Sequence, residues 1–328
     1  MILVTGGAGY IGSHVVKELV NQEYEVAVID DLSTGHRSAL PKDLPFYKIS
    51  LLETDALRQV FKEVHPKAVL HFAAKSIVSE SVRDPLNTYY PNLTGTMNLL
   101  KIMLEHEVNN LVFSSTAAVY GEPQDVPITE GHPLEPTNPY GESKLFIEKI
   151  LADIAAVSGL KYVSLRYFNA AGADTEGQVG EDHNPETHLI PRVLASAAGK
   201  DELTIYGNDY PTADGTPIRD YIHVCDLVSA HLLALDKLLT SEGYRAIYNL
   251  GNQRGYSVLE VINKAEEITG KRVPYSFGPR RPGDPAVLVA GSELIKQELN
   301  WKPRYSDLET MIETAWRWHQ NHPGGYAD

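Results

Sequence analysis

Tyr140 and Lys144 set a phenol and an ammonium four residues apart. They stand at the start of a segment, Glu142 to Ser158, whose apolar residues Leu145, Ile147, Ile150, Leu151 and Ile154 recur at helical spacing, so the two polar groups share one helix face. Such a pair can act as acid and base. A free tyrosine titrates at about 10 and is a poor base at neutral pH, but a cation held close favours the phenolate. The spacing alone decides little, because Tyr and Lys at i, i+4 are common on solvated helix faces. What decides is the set of elements that would position the pair.

Composition bounds those elements. The 328 residues, 43% of them apolar, can bury a large core, as one sizeable domain with a second lobe or as two domains. The balance of 29 basic to 43 acidic residues, net −14, argues against nucleic acid or an anionic membrane as main partner, yet leaves a small anionic ligand open. The single cysteine, Cys225, excludes an intrachain disulfide and a cysteine-based metal site, and no metal is expected. No apolar run reaches the roughly 18 residues of a membrane span. The first strand begins at Ile2 with no leader before it, so the expected compartment is the cytoplasm.

Ile2 to Thr5 reads as a short apolar strand running into Gly6-Gly7-Ala8-Gly9-Tyr10-Ile11-Gly12, after which Val15, Val16, Leu19 and Val20 continue a helical period. The strand–turn–helix context suits a dinucleotide pyrophosphate: Gly6 for the tight turn, Gly9 for the approach of backbone N–H groups, Gly12 for close helix-on-strand packing. A second strand, Glu25 to Ile29, ends in Asp30-Asp31. A carboxylate there receives the adenosine ribose hydroxyls and repels a 2′-phosphate, which favours NAD over NADP.

The alternation continues with a helix from Thr54 to His65, a strand from Ala68 to Phe72, a helix from Asn92 to His106, a strand from Asn110 to Ser114, the Tyr140 helix and a strand from Tyr162 to Arg166. Near-continuous apolar strands in a βαβ series predict an α/β fold: a doubly wound, Rossmann-like parallel sheet covered on both faces. Ligands in such sheets sit beyond the carboxyl ends of the strands. Those ends carry Phe72-Ala73-Ala74, Ser114-Ser115-Thr116 and Tyr167-Phe168-Asn169, so Thr116 and Tyr140 are expected to meet over one substrate.

Beyond Asn169 the pattern loosens into loops rich in Gly, Pro and polar residues at 170–187 and 208–217. A dinucleotide-binding domain is expected over 1–176 and a smaller α/β substrate lobe over 177–328, with segments near 220–250 (Arg219 to Val224, a helix from Asp226 to Leu239, Ile247 to Gly251) returning to the first. A helix from Val258 to Thr269, a strand near Val273, the loop Pro279 to Asp284 and a terminal helix through Trp316 complete the reading.

Taken together, Gly6-x-x-Gly9-x-x-Gly12, Asn92-x-x-Gly95-Thr96, Ser114-Ser115-Thr116, Tyr140-x-x-x-Lys144, Tyr167-Phe168-Asn169, Arg219 to Val224 and Arg281-x-Gly283-Asp284 resemble the extended short-chain dehydrogenase/reductase family, and within it the UDP-sugar 4-epimerases. The resemblance runs from Ile2 to Tyr326. It implies an NAD enzyme that interconverts UDP-galactose and UDP-glucose through a 4-keto sugar, as in galactose metabolism. Tyr140 would take the proton of the sugar 4-hydroxyl, Thr116 would hold that hydroxyl, and Lys144 would bind the nicotinamide ribose and, with the positive nicotinamide ring, depress the Tyr140 pKa. NAD would further meet Tyr10, Ile11, Ser50, Leu51, Phe72, Ala73, Ala74, Asn92, Ser114 and Tyr167. Arg219 and Arg281 would clamp the UDP diphosphate, whose oxygens planar guanidinium forks suit. Asn169 would contact the diphosphate and Asp284 the uridine ribose. Phe168, His188, Leu189, Tyr206 and Tyr221 would complete the substrate site. His223 and Cys225 are taken as structural.

There are departures from the family pattern. Ile49-Ser50 stands where members commonly carry Gly-Asp at the adenine, so that contact would rest on the Ser50 hydroxyl and the Leu51 backbone. Leu288 falls at the family's sugar-pocket gatekeeper, and a residue of intermediate size leaves acceptance of 2-acetamido sugars open. UDP-glucuronate and UDP-pentoses share the same chemistry at C4. The 4,6-dehydratases carry Asp-Glu after the threonine, whereas Ala117-Ala118 follow Thr116 here. A nonenzymatic NAD sensor would have no use for the Tyr140–Lys144 pair. In the family the helices at 92–106 and 140–157 build a homodimer, which the resemblance implies here; their apolar positions Leu93, Met97, Leu100, Leu104, Phe146 and Ile150 suit such an interface or equally the sheet.

Overall fold

In the computed structural model, which describes residues 1–281 and 283–327, the expected alternation appears in order. The first half runs β1 (Ile2–Thr5), α1 (Tyr10–Asn21), β2 (Val26–Ile29), β3 (Phe46–Tyr47), α2 (Thr54–Val64), β4 (Ala68–His71), α3 (Val78–Arg83), α4 (Leu86–Tyr89), α5 (Gly95–Glu105), β5 (Asn110–Thr116), α6 (Pro139–Val157), β6 (Lys161–Tyr167) and β7 (Asn169–Ala171). There follow α7 (Leu189–Ala197), β8 (Leu203–Tyr206), β9 (Ile218–His223), α8 (Val224–Thr240), β10 (Arg245–Leu250), β11 (Gly255–Ser257), α9 (Val258–Thr269), β12 (Tyr275–Gly278), β13 (Val287–Leu288), α10 (Glu293–Leu299) and α11 (Leu308–Asn321).

Seven parallel strands form one sheet in the order β10-β6-β5-β4-β1-β2-β3. The β1–β4 junction is where the order reverses, and the crevice beyond it is where such sheets bind ligands. Alternating side chains fill both faces: Ile2 and Val4 pack with Val15, Leu19 and Leu227, while Leu3 packs with Phe61, Leu99 and Ile147. The chain returns to this sheet through α8, which packs on α1, and through the edge strand β10. A small sheet around β9, flanked by β7, β11 and β13, and the pair β8–β12 complete the strands. Around them Ile190 and Leu194 of α7, Val261 and Ile262 of α9 and Ile312 of α11 share an apolar core.

Local chemistry sets the helix ends. Asn138 caps α6 by accepting from Gly141 N (2.9 Å), with Pro139 in the first turn. Ser257 and Glu260 form a capping box on α9, which Gly270 ends at φ 66°.

Two sequence expectations need correction. The helix read over 92–106 begins as a π turn at Tyr90–Thr94, where Pro91 withholds a backbone donor, and becomes α-helical only at Gly95. The strand placed near Val273 starts at Tyr275 instead, because Val273 N donates to Glu266 Oε1 (2.9 Å) at the end of α9. Of the positions that suited either a second copy or the sheet, Leu100 is 1% exposed inside the core, whereas Met97 and Phe146 are each 47% exposed. Pro282 of the 279–284 loop lies outside the described residues.

Candidate active site

The three glycines after β1 differ in what they permit. A Cβ on Gly6 (φ 70°) would stand 2.4 Å from Ala73 N, and one on Gly12 would stand 2.2 Å from Gly6 O, so both are fixed by the fold. At Gly9 the nearest atom is Gly6 O at 3.5 Å. Packing leaves that position open, and its lack of a side chain gives an anion access to the start of α1. The residues therefore fit a dinucleotide pyrophosphate.

Asp30 ends β2 with its buried carboxylate accepting from Ala8 N (3.0 Å) and Leu32 N (2.8 Å); burial raises its pKa and those donors oppose the rise. Asp31 is exposed and accepts from Ser33 N (2.9 Å). Tyr10 donates to Gly172 O (2.6 Å), tying α1 to the strand leaving the first sheet, and Ile11 packs on the core beside it. Phe72, Ala73 and Ala74 are half-buried at the end of β4.

Several expected cofactor contacts are engaged within the chain. Ser50 Oγ accepts from Leu52 N (3.3 Å), and the Leu51 carbonyl accepts from Asn98 (3.0 Å). The Asn92 amide donates to Lys75 O (3.1 Å) and Ser143 Oγ (3.0 Å) and accepts from Lys75 N (2.7 Å), so it anchors the 73–76 loop to α6. Ser114 Oγ and the Tyr167 hydroxyl hydrogen-bond each other.

The structure brings Tyr140 and Thr116 together. Gly141 makes this possible: a Cβ there would stand 2.5 Å from Ala118 O, so only glycine lets the first turn of α6 lie against the chain leaving β5. The Tyr140 hydroxyl hydrogen-bonds Thr116, and Thr116 Oγ1 also accepts from Ala118 N (3.1 Å). One turn on, the buried Lys144 donates to Ser114 O (2.8 Å), with its ammonium 4.8 Å from the Phe113 ring centre and 5.9 Å from that of Tyr140.

The expected depression of Tyr140 by Lys144 is not found in the protein alone. Desolvation of its hydroxyl pushes the Tyr140 pKa up to about 12, with only Thr116 pulling it back. Burial pushes Lys144 down to about 7, against the pull of Glu148. Both groups are thus biased toward their neutral forms.

Beneath the pair lies a polar network that the sequence reading missed. Glu148, on the same helix, receives Arg166 Nε at 2.9 Å and Nη2 at 2.5 Å, and Ser115 Oγ at 2.5 Å. Arg166 also donates to Tyr120 (2.8 Å), which donates to Asn249 (2.7 Å). Residues adjacent in sequence to Thr116 and Tyr167 are therefore clamped from below. A second buried chain joins Thr5, His71, Thr96 and the Asn92 carbonyl.

In the second lobe, Arg219 is ion-paired with Asp284, although the two were expected to hold different parts of the ligand. Arg219 also donates to Ile218 O (2.7 Å), and its five donors can serve both a carboxylate and an incoming anion. Arg281 lies 4.2 Å over the Tyr206 ring. Asn169 Nδ2 donates to Asp220 O (2.9 Å); Phe168 and Tyr221 are buried and Leu189 is half-buried beside them. His188 precedes α7 and turns Nδ1 to two carboxylates instead of standing free for a ligand. Asp220 also escaped the reading as a hub: its carboxylate accepts from Asn252 N, Gln253 N and Ala290 N at 2.8, 3.0 and 3.1 Å. Burial holds its pKa up at about 7 against those donors.

A doubly wound sheet with an open glycine loop at its switch point and a Tyr–Thr–Lys site beside it defines a dinucleotide-dependent enzyme acting on a hydroxyl-bearing substrate. Residues 2–251 match the model of the NAD dependent epimerase/dehydratase family, to which the chain belongs. It is 53% identical to UDP-glucose 4-epimerase of Halalkalibacterium halodurans, over 99% of this chain and 97% of that one. A crystal structure of UDP-glucose 4-epimerase superposes with a TM-score of 0.96 at 48% identity, covering 100% of this chain and 99% of the other. The enzyme from Bifidobacterium longum in complex with NAD+ and UDP superposes at 0.95 with 40% identity, over 99% of each chain.

Proposed function

We propose that this protein interconverts UDP-galactose and UDP-glucose by NAD-dependent oxidation and reduction at C4 of the sugar. The observation that carries this reading is the Tyr140–Thr116 hydrogen bond with Lys144 one turn away, in a chain aligned end to end with UDP-glucose 4-epimerases. Bound NAD supplies the acceptor of the C4 hydride and returns it, so no net redox change results. Thr116 holds the sugar 4-hydroxyl and Tyr140, as phenolate, takes its proton; when the 4-keto sugar has turned over, the same proton goes back to the new alkoxide. Lys144, fixed by the Ser114 carbonyl, orients the nicotinamide ribose and places a cation beside the phenol.

Elimination is disfavoured at this site. Ala117 and Ala118 follow Thr116 where an eliminating enzyme would carry an acid, and Ala117 packs with Val119, Tyr120, Leu145 and Phe168 in an apolar cluster. Leu288 packs on the same cluster. Arg219 and Arg281 are the cations assigned to the diphosphate, with Asn169 at the same end and Asp284 at the uridine ribose. Leu189, Tyr206, Phe168 and Tyr221 form the walls.

The direct test is proton NMR of the purified protein with UDP-galactose and no added cofactor. Appearance of UDP-glucose, approaching one fixed ratio from either side, is the expected result; silence even after NAD is added would reject the reading. Arg281→Ala is expected to weaken UDP binding about 10- to 100-fold, the scale of one charge-assisted contact. Calorimetry that finds unaltered UDP affinity would reassign Arg281 to packing on Tyr206. Exposed Met97 and Phe146 support assembly as a homodimer. Among the described residues no helix is long and apolar enough to cross a membrane. The unpaired Cys225 suits a reducing compartment, and we place the protein in the cytoplasm.

A further inference from the structure

The stretch leading into α7 carries four side chains that the epimerase chemistry leaves unexplained. Glu181, His183, Glu186 and His188 each bring one ligand atom to a common point, all within 4.8 Å of one another. We propose that these four residues form a four-coordinate site for a divalent transition-metal ion, zinc, which braces the loop entering α7.

Four of the separations come close to those of a zinc site. A tetrahedral zinc site with nitrogen and oxygen ligands at about 2.0–2.2 Å has ligand-to-ligand edges of about 3.4 Å. Here Nδ1 of His183 lies 3.2 Å from Glu181 Oε1 and 3.7 Å from Glu186 Oε2. Nδ1 of His188 lies 2.7 Å from Glu181 Oε1 and 3.1 Å from Glu186 Oε1. Two imidazoles and two carboxylates are a donor set for zinc, whereas magnesium and calcium favour oxygen alone.

Hydrogen bonding accounts for Glu186, whose Oε1 accepts from Thr187 N and His188 N at 2.7 Å and lies 3.1 Å from His188 Nδ1, but not for Glu181 and His183. Glu181 is 5% exposed, and its Oε1 is the atom nearest both imidazoles. Yet among the described residues neither Glu181 Oε1 nor His183 Nδ1 has a hydrogen-bond partner of acceptable geometry. Buried polar atoms are normally satisfied, and these two face each other at 3.2 Å with no hydrogen bond of acceptable geometry between them. Two carboxylates and two neutral imidazoles also sum to the charge that one divalent ion cancels. Tyr10 supports the position, with its ring set edge-on to His183 at 6.4 Å and its hydroxyl on Gly172 O.

His188 is the cap residue of α7, so occupancy would fix where that helix starts. The competing arrangement is a metal-free cluster in which both imidazoles are protonated. The two are separated on the full-length protein by elemental analysis and melting. We expect about one zinc per chain after dialysis against metal-free buffer. Stripping with a chelator should lower the melting temperature, and zinc chloride at a hundredfold excess over its dissociation constant should restore about 5 °C, with magnesium chloride without effect. His183→Ala and, as the milder change, Glu181→Gln should each weaken zinc binding at least about 100-fold and erase the thermal response. A wild-type protein that binds no zinc and melts unchanged with or without chelator would overturn the site, as would zinc bound equally by wild type and either variant.

Discussion

Tyr140→Phe is expected to lower turnover by three to four orders of magnitude while leaving NAD content and UDP affinity close to those of the wild type. The substitution removes one oxygen from the ring and nothing from its packing, so the loss measures proton transfer, which is worth about 10²- to 10⁴-fold in positioned side chains. The upper end is expected because Thr116, the group that pulls that phenol's pKa back down, carries no charge to replace it. In the protein alone burial holds the Tyr140 pKa up at about 12, so the phenol rather than the phenolate prevails at pH 8. Lys144, at about 7, is mostly neutral at that pH. The site is therefore built to charge only when loaded, and a titration of the Tyr140 absorbance should move to lower pH once NAD is bound. Turnover of the phenylalanine variant within tenfold of the wild type would remove Tyr140 as the base.

Local pattern made part of this site readable and long-range pairing hid the rest. The β1 loop announces itself because Gly6, Gly9 and Gly12 lie within seven residues of one another, directly after an apolar strand. Tyr140 and Lys144 are likewise neighbours on one helix. The parallel sheet was legible because strands buried on both faces lose the alternation of half-exposed ones. Helix α7 was missed although Ile190, Val193, Leu194 and Ala197 have helical spacing, since the polar run before it and Pro191 in its first turn resemble a loop. Asp220 sits inside a recognised motif, but its three backbone partners lie 32 to 70 residues away. Glu148 looks like one more surface glutamate of an amphipathic helix. Nothing in its neighbourhood along the chain discloses that Arg166, on β6, arrives beside it. The pairing of Arg219 with Asp284 joins two residues whose separate motifs both suggested a ligand.

Glu148→Ala is the substitution expected to cost the most stability. It would leave the Arg166 guanidinium buried with only the Tyr120 hydroxyl beside it, and removing one partner of a buried pair costs about 3–5 kcal/mol. In a chain of this size that corresponds to a fall of about 4–7 °C in melting temperature, read by calorimetry or circular dichroism. The paired change Glu148→Leu with Arg166→Met should recover most of the loss, because it removes both charges together. The single variant should also disturb the chemistry. Glu148 raises the Lys144 pKa against burial, so without it Lys144 gives up its proton at a lower pH, and the ammonium that orients the ribose is lost earlier as pH rises. The activity of surviving Glu148→Ala protein should then fall off at lower pH on its alkaline side. A variant that melts with the wild type would show that water solvates Arg166 and that the pair is not buried in solution. A melting loss with an unshifted profile would confine Glu148 to the foundation and leave the charge of Lys144 to its other surroundings.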